Sequence, residues 1–105
     1  MSEFVTVTEL SRIPAGQGLL VRLGQTEIAL FRIDGAVHAL ENQCPHRGGP
    51  LAMGVVQDGC VFCPLHGWAF ELRSGACVER PDKPVRSYPV RVCGDQVQVK
   101  IDGGL

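Results

Sequence analysis

The sequence lacks long apolar segments, a basic patch and a leader-like N-terminus. Its longest apolar runs are about five residues, whereas a membrane-spanning helix needs about 20. The first residues, 1–5, contain no basic stretch followed by an apolar one, so we expect no signal peptide. The net charge is −1, and Lys and Arg are scattered along the 105 residues, which argues against a nucleic-acid surface. We therefore expect a soluble cytoplasmic protein with no membrane and no nucleic-acid partner.

Sustained helical periodicity is also missing, and short segments of alternating apolar and polar residues take its place. This period of two is typical of β-strands. The predicted strands are Phe4–Thr8, Leu19–Leu23, Glu27–Ile33, Val37–Leu40, Tyr88–Val92 and Val97–Ile101. Thirteen glycines and seven prolines favour many turns. We predict an all-β fold, a small antiparallel sandwich or barrel, as one domain over residues 1–105. An insertion rich in Cys, His, Gly and Pro interrupts it at about 42–84.

The cysteines of this insertion are poor candidates for disulfides. The chain has five cysteines, an odd number, and a cytosol keeps thiols reduced. Two motifs instead pair a cysteine with a histidine: Cys44-Pro45-His46 and, after a gap of sixteen residues (47–62), Cys63-Pro64-Leu65-His66. A predicted hairpin over 55–62 would bring the two motifs side by side. Loops fixed by Pro and Gly are suited to a metal site, because the ligands converge without a large ordering cost.

Several other interpretations of these residues stay open on the motifs alone. A single histidine is usually an ordinary surface residue, and two thiolates with two imidazoles also suit tetrahedral zinc. Typical zinc motifs pair cysteines as C-x₂₋₄-C, however, whereas each cysteine here precedes a histidine. A docking module without any metal is a third possibility. The remaining cysteines are expected to be small buried residues or free thiols: Cys60, Cys77 and Cys93. Cys60 and Cys63 form a C-x-x-C, but a redox pair of that kind needs a strand-to-helix setting.

The double motif closely resembles the Rieske proteins. The resemblance implies one [2Fe–2S] cluster per chain, with Cys44 and Cys63 on one iron and His46 and His66 on the other. Two ferric ions, two sulfides and two thiolates sum to zero charge, whereas four thiolates would give −2. An electron is added more easily to the neutral site, so its potential lies above that of an all-cysteine ferredoxin.

Departures from the family pattern indicate which kind of Rieske protein the chain resembles. High-potential members carry an extra cysteine in each loop, at positions that correspond here to Gly49 and Leu65, and a serine where Trp68 stands. We therefore expect a low-potential centre. Catalytic oxygenase subunits need a second iron bound by two histidines and a carboxylate. Only His38 is spare, and it is expected to be an ordinary strand residue, so we expect an electron-transfer subunit with no catalytic site of its own.

Two stand-alone roles remain. Segments 28–32, 42–51, 61–75 and 88–92 resemble the small subunit of NAD(P)H-dependent nitrite reductase, which implies a large subunit carrying flavin, sirohaem and its own iron–sulfur cluster as partner. The alternative is a Rieske ferredoxin that takes electrons from a reductase and delivers them to an aromatic-ring-hydroxylating dioxygenase. In either role, we expect His46 and His66 to line an exposed edge of the cluster. Trp68, Pro50 and the stretch 81–84 are predicted to form an apolar rim over it.

Overall fold

The structure is a computed structural model that describes residues 3–45, 48–65 and 67–101. Within these residues ten strands form three antiparallel sheets. One sheet has the order β1-β10-β9, with strands β1 (Phe4–Glu9), β9 (Val90–Cys93) and β10 (Gln96–Lys100). The second has the order β2-β3-β4-β8, with β2 (Gly18–Leu23), β3 (Thr26–Ile33), β4 (Ala36–Glu41) and β8 (Ser87–Tyr88). The third has the order β5-β6-β7, with β5 (Val55–Gln57), β6 (Cys60–Phe62) and β7 (Ala69–Glu71). The predicted all-β fold is confirmed.

The second sheet lies between the other two, and β3 is its most buried strand. Ile28, Ala29, Leu30 and Phe31 are all fully buried. Because successive side chains of a strand point to opposite faces, Ile28 and Leu30 pack towards β10, whereas Ala29 and Phe31 pack towards the third sheet and its loops. A strand buried on both faces has a continuous apolar run, as this one does. The chain thus has two cores, one on each side of the central sheet.

Two tight hairpins have the same turn chemistry. Strands β3 and β4 pair with Ile33 opposite Ala36, and β5 and β6 pair with Gln57 opposite Cys60. Each therefore leaves a two-residue Asp-Gly turn, and both turn residues have positive φ (51° and 79°; 55° and 77°). Asp-Gly is a preferred sequence for such turns, since Gly adopts positive φ at no steric cost. The predicted hairpin over 55–62 is confirmed.

One predicted strand is divided. The sequence indicated a single strand over Tyr88–Val92, but β8 ends at Tyr88 and β9 begins at Val90. Pro89 between them has no N–H to donate to a strand ladder. The chain changes sheets at this point, because β8 pairs with β4 and β9 pairs with β10. No helix in the described part of the chain is long and apolar enough to cross a membrane.

Candidate metal centre

Two loops with the same pattern of closing hydrogen bonds follow strands β4 and β6. We call residues 44–49 the first ligand loop and 63–68 the second. In the first, the Gly48 N–H donates to the Cys44 carbonyl (2.7 Å) and the Cys44 N–H donates to the Gly49 carbonyl (2.9 Å). In the second, the Gly67 N–H donates to the Cys63 carbonyl (2.9 Å) and the Cys63 N–H donates to the Trp68 carbonyl (2.8 Å). Each loop is therefore closed four and five residues after its cysteine.

The glycine at the fifth position of each loop explains how the loop closes. Gly48 has φ 69° and Gly67 has φ 76°, values that disfavour residues with a side chain. Both glycines are exposed, and a Cβ added to either would meet no atom within 4 Å. Backbone conformation, and not crowding, therefore accounts for glycine at these two positions.

The cysteines at the bases of the two loops are buried in one core. Cys44 is 2% exposed and Cys63 is 3% exposed, and both belong to the cluster of buried side chains beneath the third sheet. The loops also touch, since a Cβ added to Gly49 would lie 2.6 Å from the Cys63 Sγ. This contact agrees with the sequence prediction that the hairpin over 55–62 brings the two loops side by side, whereas the ligand assignment of the two cysteines stays a prediction.

Gly49 also lies against Leu65 of the second ligand loop. An added Cβ at Gly49 would be 3.1 Å from the Leu65 Cγ. These are the two positions at which the resemblance to high-potential Rieske proteins places an extra cysteine in each loop. The two positions are adjacent in space, as a disulfide between them would require, but neither carries a sulfur atom here.

Asn42 joins the segments on both sides of the first ligand loop, a role that its position in the sequence does not reveal. It is 2% exposed, and it is the only buried polar residue among those the structure describes. Its Oδ1 accepts the Ala52 N–H (2.8 Å), its carbonyl accepts the Leu51 N–H (2.7 Å), and its own N–H donates to the Glu27 carbonyl (3.1 Å). An asparagine at a strand end is common in turns, so nothing in the sequence distinguishes this one.

The two predicted histidine ligands, His46 and His66, lie outside the described residues. The structure therefore places the two cysteines of the predicted set in one buried core, while the histidines stay a prediction. Among residues 3–45, 48–65 and 67–101, no group of three Cys, His, Asp or Glu side chains could hold a metal ion. A four-ligand site at this place would need donors beyond the two described thiols.

The other cysteines and His38 are outside the two ligand loops, although Cys77 belongs to the same buried core as Cys44 and Cys63. Cys60 is half-buried on β6, where burial first, and then the carboxylate of Glu71, raises the pKa of its thiol. Cys77 is buried and Cys93 is exposed, and both are free thiols. Burial lowers the pKa of His38, a half-buried residue of β4. Cys60 lies on a strand that continues into a loop and not into a helix, so the C-x-x-C lacks the setting of a thioredoxin-like pair.

The residues of the predicted apolar rim differ in burial. Trp68 is half-buried and packs on the core that contains the two cysteines, and the Arg80 guanidinium lies over its ring at 5.9 Å from the centroid. Pro50 and residues 81–84 are exposed. Leu65, at the tip of the second ligand loop, is 53% exposed. Trp68 thus packs on the core, and its place in a rim stays a prediction.

The chain is similar to known Rieske proteins in sequence and in fold. The Rieske [2Fe–2S] domain profile matches residues 3–89. The anthranilate 1,2-dioxygenase ferredoxin subunit of Burkholderia cepacia is 43% identical over 79 residues, which cover 74% of this chain and 73% of that protein. A chain of Mycobacterium tuberculosis assigned as an NADH-dependent nitrite reductase small subunit superposes with a TM-score of 0.90 at 32% identity, covering 98% of both chains. The ferredoxin of carbazole 1,9a-dioxygenase from Nocardioides aromaticivorans superposes with a TM-score of 0.85 at 31% identity, covering 91% of this chain and 95% of that one.

A Rieske [2Fe–2S] cluster fits the described part of the site. Such a cluster takes two thiolates on one iron and two imidazoles on the other. The chain supplies two buried cysteines on abutting loops, and a glycine stands where a larger residue would strike the Cys63 Sγ. This glycine, Gly49, permits the close approach of the loops that a shared cluster requires. The cofactor of the domain is one [2Fe–2S] cluster, and not the single zinc ion that the motifs alone left open.

Proposed function

The chain belongs to the Rieske [2Fe–2S] domain family, and we propose that it is a one-electron carrier whose cluster is held by Cys44, His46, Cys63 and His66. The bound cluster accepts and releases a single electron. The observation that carries the proposal is the pair of matching loops, each with a buried cysteine at its base, in contact through Gly49 and the Cys63 Sγ. The two histidines are assigned from the sequence motif, in which they stand at the second position after Cys44 and the third after Cys63.

The proposal covers the whole of residues 1–105 as one domain, with residues 42–84 as its cluster-binding part. Support comes from β5 and β6 of the third sheet, which connect the first loop to the second along the chain. We place the centre in the low-potential group, because Gly49 and Leu65 provide no disulfide beside the cluster. Cys77 and Cys93 are free thiols, and thiols stay reduced in the cytoplasm, which favours that location.

The first candidate partner is the large subunit of an NAD(P)H-dependent nitrite reductase. Two observations favour it: the superposition on an assigned small subunit over 98% of both chains, and the similar segments on both sides of each ligand loop. In this role the chain would be an electron-transfer subunit with no catalytic site of its own.

The second candidate role is a ferredoxin that links a reductase to an aromatic-ring-hydroxylating dioxygenase. It is favoured by the 43% identity to the ferredoxin subunit of anthranilate 1,2-dioxygenase and by the superposition on the ferredoxin of carbazole 1,9a-dioxygenase. The two roles share the same cluster and differ only in the protein that receives the electron.

The ligand assignment is tested by substitution in protein purified without oxygen. The wild type should contain two irons and two sulfides per chain and show the visible absorption of a Rieske centre. His66→Cys should lower the midpoint potential or abolish assembly, because a thiolate adds one negative charge to the site. His46→Cys should do the same. Matched Cys77→Ser and Cys93→Ser variants should keep the wild-type spectrum.

Two outcomes would contradict the assignment: a wild type without iron, and a fully loaded His66→Cys variant with an unchanged potential.

The partner is tested separately by adding the reduced chain to each candidate. Oxidation by a nitrite reductase large subunit in the presence of nitrite supports the first role. Oxidation by a ring-hydroxylating oxygenase with its aromatic substrate supports the second. A neighbouring gene for a sirohaem protein or for such an oxygenase would point the same way.

A further inference from the structure

The second ligand loop closes through one peptide unit that has a second partner. This unit joins Trp68 to Ala69. Its carbonyl accepts the Cys63 N–H at 2.8 Å, and its N–H donates to the Glu79 Oε1 at 2.9 Å. The Glu79 carboxylate is thus connected to the backbone of Cys63 through a relay of two hydrogen bonds.

The first ligand loop shows why the second needs such an acceptor. Its closing carbonyl belongs to Gly49, and the next residue is Pro50. Proline has no N–H, so the corresponding peptide unit has no donor to satisfy. The second loop has Ala69 at the equivalent place, 4% exposed, and a buried N–H without an acceptor costs free energy. Glu79 supplies that acceptor.

Neighbouring contacts fix Glu79 in this position. The Val78 N–H donates to the Ala69 carbonyl at 2.8 Å, so the segment before Glu79 is joined to the same residue from the other side. The buried Cys77 thiol lies 3.9 Å from the same Glu79 Oε1, as a weak second donor. Glu79 is otherwise exposed. Its backbone is therefore held against the base of the loop, although its sequence position is sixteen residues beyond Cys63.

We propose that Glu79 is a positioning residue for Cys63, which holds the second ligand loop closed and adds a negative charge at the end of the hydrogen-bond relay to the cluster. This rests on the proposed function, in which Cys63 binds iron. Hydrogen bonds in a chain polarise one another, and a charged acceptor makes the stronger bond. A carboxylate at this place disfavours the addition of an electron nearby, because the reduced site is more negative.

Two substitutions separate the two proposed effects of Glu79, the hydrogen bond that holds the loop closed and the negative charge near the cluster. Glu79→Gln keeps an oxygen that can accept the Ala69 N–H but removes the charge, so the cluster should be retained and the midpoint potential should rise. Glu79→Ala removes the acceptor. It should release the cluster to a chelator about five- to tenfold faster, which corresponds to the loss of one net hydrogen bond. Amide hydrogen exchange in the peptide that spans 63–69 should also accelerate in this variant.

The matched control is Glu71→Gln. Glu71 lies on β7, two residues from Ala69, and its Oε1 accepts a hydrogen bond from the Ser74 hydroxyl. This variant removes the same charge from the same region but leaves the relay intact, so its potential should move less than that of Glu79→Gln. Equal shifts in the two Gln variants would overturn the proposal, as would wild-type exchange and cluster release in Glu79→Ala.

Failure of the proposed function would look different. Wild-type protein without iron would contradict the electron-carrier role, whatever the Glu79 variants do. The hydrogen-exchange comparison of the wild type with Glu79→Ala would still test the relay in that protein. The two hypotheses therefore fail on separate measurements.

Discussion

Replacing Gly49 by alanine perturbs the contact between the two ligand loops. The added Cβ would lie 2.6 Å from the Cys63 Sγ, whereas ordinary van der Waals contact begins at 3.4 Å. The difference, 3.4 − 2.6 = 0.8 Å, must be relieved by the thiol or by the loop backbone. Metal–ligand distances hold within about 0.2 Å, so a bound Cys63 cannot absorb this displacement. The collision with Leu65 is softer, since that exposed side chain can move aside.

Overpacking of this kind typically costs about 1–3 kcal/mol. If that cost appears as weaker cluster retention, Gly49→Ala should release iron to a chelator roughly fivefold to a hundredfold faster than the wild type. Release is followed by the loss of visible absorbance under anaerobic conditions. Wild-type release would refute the reasoning, because it would mean that Gly49 does not set the position of the Cys63 Sγ.

The neighbouring glycine is the matched control. Gly48→Ala places a side chain at φ 69°, which costs about 1–2 kcal/mol of folding free energy, but meets no atom within 4 Å. It should lower the free energy of unfolding, but it should not accelerate iron release to a chelator, because it does not displace the Cys63 thiol. A double substitution completes the test: adding Gly49→Ala to Cys63→Ala should cost less stability than adding it to the wild type, because the sulfur atom is gone. Equal costs in both backgrounds would show that the collision is not with the thiol.

Two further predictions concern groups outside the ligand loops. Asn42→Ala leaves the buried Ala52 N–H without its acceptor, so the free energy of unfolding should fall by about 1–3 kcal/mol. Denaturant unfolding measures this, and an unchanged midpoint and slope would contradict the role of Asn42 in holding the first ligand loop. His38 has a pKa lowered by burial, so its protonation favours the unfolded chain. Its stabilising contribution is complete above pH 6.5, the unfolded value, and declines as the pH falls towards the folded pKa. His38→Gln should therefore lose less stability between pH 7.5 and 5.5 than the wild type, and equal losses would contradict the shift.

Local chemistry determined the parts of this protein that can be assigned from the sequence. The period-two segments predicted the strands of the first two sheets, because alternation is a property of the strand itself. Asp-Gly turns predicted the β5–β6 hairpin, since only certain residues adopt positive φ. The cysteine and histidine spacing predicted the ligand loops and the family, because the residues of each loop are close in sequence. The strand predicted across Pro89 is divided in the structure, because proline has no N–H to donate to a strand ladder.

Tertiary structure alone decided how the parts meet. The distance from Gly49 to the Cys63 Sγ depends on the packing of two loops against one core, and nothing within either loop encodes it. The roles of Asn42 and Glu79 arise in the same way, since each side chain accepts an N–H ten residues away along the chain. A glutamate or asparagine at such a position looks like any surface polar residue in the sequence. A hydrogen bond between distant segments becomes visible only when the fold brings donor and acceptor together.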